Sequence, residues 1–375
     1  MQPVRSIPGS TLWGSTWSNT NLNQELNSGG LKQMKKNYEN RSRSKKTFFL
    51  HSESATATAI GAVLLLGIIF LVLSIIRIGY VPEWKNDDEY SHMDNVRKDM
   101  AEVKSKIDMM SIILASSPKS SNINSSNPSS STPQLIMSVP FHMGSGGTPL
   151  VSSMKSSGTL AVNKDKCIMA LKVDYDKPDP YVKTINCGTI TYNSHNNYYM
   201  DQVFSYENGA LILKQDEQSS MVLYPSIRFS KASKNEYNVS INAVRIFQKP
   251  YVPPEVISSN TECSLRLIGI DYIPLYDSEK DTSRSVSRLN MTITTDHPEA
   301  WRIYLRKVIQ DVGMDPDSEE FIQNLSSSTE GKIGLTFPPE SGKNKGTDKK
   351  ISNPTLKRIY IGETVVKAEP GIGLN

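Results

Sequence analysis

Ser152 and Lys155 stand three residues apart in the run SSMK, the spacing at which a lysine serves a serine nucleophile in some acyl-transfer enzymes. The partner motifs such chemistry needs do not occur. The run lies beside a Ser/Gly-rich stretch, and chance occurrence in a serine-rich chain outweighs an active site. Five histidines, His51, His92, His142, His195 and His297, are widely scattered, and no HExxH, GxSxG or Walker phosphate loop is present. GSGGT at 144–148 lacks the strand-before and helix-after context that turns backbone amides toward a phosphate, and reads as loop. Asp174, Asp176 and Asp179 form one acidic cluster, and Asp311, Asp315 and Asp317 another. A hard cation such as Ca²⁺ uses such oxygens, but neither cluster has calcium-loop spacing, so both read as turn and capping chemistry. The expectation is a non-enzyme with no catalytic residue, no cofactor and no metal.

Three cysteines, Cys167, Cys187 and Cys263, are too few and too odd for a disulfide framework, and no CxxC or Cys/His cluster supports zinc. One pair can form in an oxidising exterior; Cys167 with Cys187 is the candidate. Asn124, Asn238, Asn290 and Asn324 begin Asn-x-Ser/Thr sequons and are candidate glycan acceptors, whereas Asn40, which also fits, is expected on the inner side.

These residues must be positioned by a chain with one dominant feature. From Ala55 to Ile76 no charged residue occurs. At about 1.5 Å per residue, these roughly 22 positions cross a hydrocarbon core about 30 Å thick. The stretch is too long and too far from the start for a cleaved secretory signal, and too uniformly apolar for a soluble amphipathic helix. The run LKQMKKNYENRSRSKKTFFL at 31–50 carries Lys32, Lys35, Lys36, Arg41, Arg43, Lys45 and Lys46 against Glu39 alone; beyond the stretch, Arg77 is followed by Glu83, Asp87, Asp88 and Glu89, with Lys85 between. Positive charge stays inside, so the N-terminal segment is expected in the cytoplasm and the C-terminal head outside the cell. Residues 1–33 are Ser-, Asn- and Gly-rich and read as disordered, with Met34 read as the natural start.

The chain has 375 residues and a formal net charge of +4. Its basic excess sits in 32–46 and 343–358 rather than on a folded face, which argues against nucleic acid as a partner. After the span, Met93, Val96, Met100, Val103, Ile107, Met110 and Leu114 recur in steps of three and four, a helical stripe. Two readings stay open for it: a helix packed on its own head, or the seam of a homo-oligomeric stalk. Pro82 is placed to kink the rod. SSPKSSNINSSNPSSSTP at 116–133 is a linker too poor in apolar groups to fold.

Beyond Gln134, GTLAV, KCIMALKV, TINCGTITYN, EYNVSINAVRIFQ, SLRLIGIDYIPLY and RLNMTITT read as strands of an antiparallel β-sandwich-like head. Asn208-Gly209 in YENGALIL signals a tight hairpin. TTDHPEAWRIYLRKVIQDVG reads as a helix capped by Asp296, with Trp301, Tyr304, Leu305 and Ile309 on its apolar face. DPDSEEFIQNL reads as a second short helix, GKIGLTF as strand, and LKRIYIGETVVKAE as a last strand pair or tail. The organisation expected is a basic leader over 1–53, the span over 54–79, an amphipathic helical stalk over 80–115 and the linker over 116–133. A β-rich extracellular head follows over 134–340, then a basic loop with a C-terminal strand or tail over 341–375.

ATATAIGAVLLLGIIFLVLSIIRIGYVPEW, followed by DDEYSHMDNVRKDMAEVKSKID, resembles the N-terminal region of archaeal type IV pilin-like proteins, in particular a membrane-anchored family of methanogenic archaea. GSGGTPLV, SSGTLAV and NYYMDQVFSYENGALILKQDEQSSMVLYPSIRF are similar to that family's head, and TTDHPEAWRIYL to its Trp-containing helix. The resemblance covers roughly residues 45–310. It implies a basic leader, a long N-terminal helix and a β-rich head outside the cell. Leader cleavage would fall between Lys45 and Ser54, with Glu53 near the new N-terminus; Phe48 and Leu50 depart from the pattern such a peptidase prefers. The function expected is a single-pass cell-surface protein in the lipid bilayer, serving surface structure, adhesion or filament assembly. The alternative is a type II attachment glycoprotein of viral type on a coiled-coil stalk.

Overall fold

A computed structural model describes residues 52–117, 135–145, 155–281, 284–317, 321–327, 330–339 and 354–372. Met34, Ser152, Asn124 and most of the linker lie outside these residues. The chain divides into two units, Met1–Leu66 and Gly67–Asn375.

In the first unit, α1 (Ser52–Ile75) begins. Its side chains from Thr56 to Ile75 are exposed although the run is almost wholly apolar, and the helix is long and apolar enough to cross a membrane. In the second unit α1 is followed by a five-residue π-helical segment, Ile76–Tyr80, and then by α2 (Val81–Ser116). Pro82 sits in the first turn of α2, where its missing N–H costs least, and helical conformation continues through it.

The head is mainly β, with its sheets stacked in a sandwich-like arrangement. One five-stranded sheet runs β1 (Leu135–His142), β12 (Glu262–Asp277), β16 (Thr355–Gly371), β10 (Glu236–Ile246), β9 (Ile227–Lys231). A six-stranded sheet runs β11 (Glu255–Ser259), β2 (Ser157–Val162), β5 (Thr189–His195), β6 (Gln202–Glu207), β7 (Ala210–Gln215), β8 (Gln218–Leu223). The third runs β14 (Ile322–Asn324), β15 (Lys332–Phe337), β13 (Val286–Thr295), β3 (Cys167–Tyr175), β4 (Tyr181–Asn186).

The expected hairpin forms where Asn208-Gly209 joins β6 to β7: Glu207 pairs with Ala210, and both turn residues have positive φ, 48° and 80°. The asparagine also stitches sheets together, because its Oδ1 accepts from the Val244 amide at 3.0 Å. The third helix, α3 (Pro298–Asp311), buries Trp301, Tyr304, Leu305 and Ile309 as the pattern required.

The stripe of α2 packs on its own head, one of the two readings left open: Met93, Val96, Met100, Val103, Ile107 and Met110 are buried in the core between the first two sheets, and Leu114 packs beside Gly269. Burial of each such side chain contributes roughly 2 kcal/mol, so the stripe contributes on the order of 10 kcal/mol to holding α2 on the sheets. Of the strand and the tail left open for the C-terminal segment, it is a strand, β16, at the centre of its sheet, and it pairs parallel with β10 while every other strand pair is antiparallel among the described residues. A parallel neighbour needs a long crossover, which sequence alternation does not reveal. Asp296 does not cap α3; His297 occupies the cap position, and its amide donates to Thr295 Oγ1 at 3.0 Å. Ile322–Asn324 forms β14 on the edge of β15 where a second short helix was expected.

Candidate functional site

The span is the functional feature with the clearest chemistry. Beyond it, Ile78, Tyr80 and Trp84 are exposed, and the Tyr80 and Trp84 rings lie 6.1 Å apart one turn from each other. Amphipathic aromatic rings just past an apolar span suit the headgroup layer.

Above them, α2 holds the head through polar groups on the same face as the apolar stripe. Glu89 is buried, and its carboxylate accepts from the amides of Asn197, Tyr198 and Tyr199 at 2.7–3.1 Å, pinning the β5–β6 loop. Tyr192 donates its hydroxyl to the Met143 carbonyl at 3.3 Å and accepts from His92 Nε2 at 3.1 Å. Burial, and then His142, push the His92 pKa down to about 4, so the imidazole stays neutral as this bond requires. Asp99 accepts from both the amide and Nδ1 of His142, at 2.9 and 2.8 Å. From the sequence, the apolar stripe of this helix is singled out and none of these polar residues beside it. Their spacing was the signal: Lys85, Glu89, His92, Val96 and Asp99 fall at i, i+4, i+7, i+11 and i+14, one helix face.

A second buried polar cluster joins β6, β13 and α3. Glu207 accepts from Thr295 Oγ1 at 2.8 Å and from Trp301 Nε1 at 3.3 Å. Burial raises its pKa to about 7 against the bonds that favour the carboxylate. Cys167 and Cys187 stand opposite each other on neighbouring strands, the amide of Cys187 donating to the Cys167 carbonyl at 2.8 Å. All three cysteines are buried thiols in this structure. The neighbouring Cys187 and burial hold the Cys167 thiol well above its ordinary range, and burial lifts Cys263 to about 11, so neither of these two is a reactive thiolate.

The acidic clusters are structural. Asp317 forms a bidentate pair with Arg306 at 2.7 and 2.6 Å, and Asp315 accepts from the Asp317 amide. Asp174 pairs with Lys172 and accepts from Asn290 Nδ2 at 2.9 Å. Among the described residues, no three His, Cys, Asp or Glu side chains gather to hold a metal.

A trough of about 1000 Å³ lies beside the edge strand β9. Register places Arg228 and Ser230 of β9, Asn238 and Ser240 of β10, and Arg358 and Tyr360 of β16 on one sheet face along it. Lys104 and Asp108 of α2 and Tyr304 and Asp311 of α3 complete the lining. Its charges are largely internal pairs: Lys104 meets Asp108 at 2.7 Å, and Arg358 meets Glu279 at 3.1 Å. Such a surface offers many neutral donors and acceptors with no excess of either sign.

The sequons divide. Asn290 lies mid-sheet with both ends of its amide engaged, by Asp174 and by Thr336 Oγ1 at 3.0 Å. Asn324 is exposed, and its Oδ1 accepts from the Ser326 amide at 3.1 Å. Asn238 faces the trough.

No family model, curated protein or solved structure matches this chain.

Proposed function

We propose that this chain is a pilin-like, non-enzymatic single-pass surface protein, with its basic segment in the cytoplasm and its β-rich head outside the cell. The observation that carries this reading is the exposed apolar helix. From Ile60 to Ile75 its large apolar side chains are exposed, which in water would leave a helix-length apolar surface uncovered and in a bilayer would not. The charge asymmetry around the span supports the orientation. Glu89, His92, Asp99 and Glu207 have structural partners, and the perturbed pKa values of His92 and Glu207 arise in cores rather than in a cleft with convergent reactive groups. The stalked-glycoprotein alternative loses its main support, because the stripe that would make the stalk is inside the head.

The test is protease treatment of intact cells, followed by immunoblotting for the head and peptide mapping of the membrane fraction. Loss of the head with retention of the basic segment is expected. Recovery of the protein in the soluble fraction, or a head cut only after lysis, would overturn the reading. The N-terminal peptide of the membrane-bound protein then separates roles: a start between about Thr47 and Ala55 favours filament assembly, whereas a retained basic segment favours a permanent anchor.

A further inference from the structure

We infer that Asn238 carries an N-linked glycan whose sugar chain lies in the trough floored by β9, β10 and β16. The inference rests on the external placement of the head proposed above. Successive strand residues alternate faces, so Asn238 and Ser240, the two residues that define the Asn-Val-Ser sequon, point the same way, and both line the trough. The Asn238 Oδ1 is buried without a hydrogen-bond partner, whereas Asn290, another sequon within a strand, has its amide held at both ends. Beside Asn238 the register slips by one residue, Tyr237 facing Leu356 and Asn238 facing Arg358, a bulge of the kind that re-aims side chains.

The trough suits a neutral, hydroxyl-rich chain. Ser226, Ser230, Ser240 and Tyr360 supply hydroxyls, and Arg228 and Asp311 supply one charge of each sign. An apolar ligand would desolvate these groups without replacing their bonds.

Topology also leaves the acceptor open long enough. The parallel neighbour of β10 is β16, which lies far downstream in sequence, so the face beside Asn238 is incomplete until β16 has been made. Asn290 differs: Asp174, which takes its amide, lies on the earlier strand β3. Transfer joins Asn238 Nδ2 to the anomeric carbon of a glycosyl phosphate or pyrophosphate donor. The C–N bond forms as the C–O bond to the phosphate breaks, the phosphate leaves with the bonding pair, and Nδ2 gives up one proton.

The experiment is peptide mass mapping of the full-length protein isolated from its native membranes. The tryptic peptide 235–245, whose only sequon is at Asn238, should carry a sugar mass ladder that disappears in Asn238→Gln and in Ser240→Ala, the second change being at an exposed position that the fold tolerates. Peptide 289–302, with Asn290, should be bare. An amidase that cleaves the Asn–sugar bond should release the Asn238 glycan only after denaturation. A bare Asn238 overturns the inference, whatever Asn324 carries. Release from the native protein as fast as after denaturation removes the glycan from the trough and overturns it equally. Protease treatment of intact cells keeps the two readings apart: a head cut outside, with Asn238 bare, leaves the placement standing and only this inference fallen.

Discussion

The indole nitrogen of Trp301 donates to the Glu207 carboxylate at 3.3 Å inside the core, so a titratable group stands where the six-stranded sheet meets α3. Burial raises its folded-state pKa from the ordinary 4.5 to about 7. A raised carboxyl pKa means the folded state prefers the proton. Its stabilising effect is full below about pH 4.5, fades as pH rises through about 7, and is absent above. The ionised form costs about 3 kcal/mol relative to the protonated one. Urea midpoints should therefore fall between pH 4.5 and 8 in the native sequence, and Glu207→Gln should flatten that segment of the profile. An unchanged slope in the variant would falsify the assignment.

Glu89 and the β5–β6 loop give a second prediction. Glu89→Ala removes one acceptor from three backbone amides, and should lower stability on the order of 2 kcal/mol, since the loop amides regain water. Hydrogen exchange at Asn197, Tyr198 and Tyr199 should accelerate selectively. Exchange that stays slow at these amides would show that something else holds the loop.

The stripe of α2 predicts intramolecular behaviour. Ile107→Ala should cost roughly 2–5 kcal/mol through a cavity in the head core. In detergent, its unfolding midpoint should be independent of protein concentration. A concentration-dependent midpoint would instead place these residues in a subunit contact.

The cysteines should be silent to alkylating reagents while the protein is folded. Cys167, Cys187 and Cys263 are all buried, and the thiols of Cys167 and Cys263 are shifted away from the thiolate. Labelling at pH 8 should appear only with unfolding, at the rate of unfolding. Rapid labelling of Cys263 in the native protein would contradict its burial.

The sequence by itself determined the span, because membrane crossing depends only on the length of a charge-free apolar run and the charges around it. It determined most strands, the Asn208-Gly209 hairpin and the buried face of α3, since each follows from local periodicity or from residues that tolerate positive φ. It left the stripe of α2 between two partners, because a helix face looks the same whether it meets a second copy or its own sheets. Only the tertiary structure decided that question, by packing Val96, Met100 and Ile107 between two sheets assembled from distant segments. The central place of β16 and its parallel pairing with β10 depend on contacts more than a hundred residues apart, for which local pattern holds no signal. The same long-range pairing joins Asn238, Arg358 and α2 around one trough, so which sequon faces open space is a property of the fold and not of its three letters.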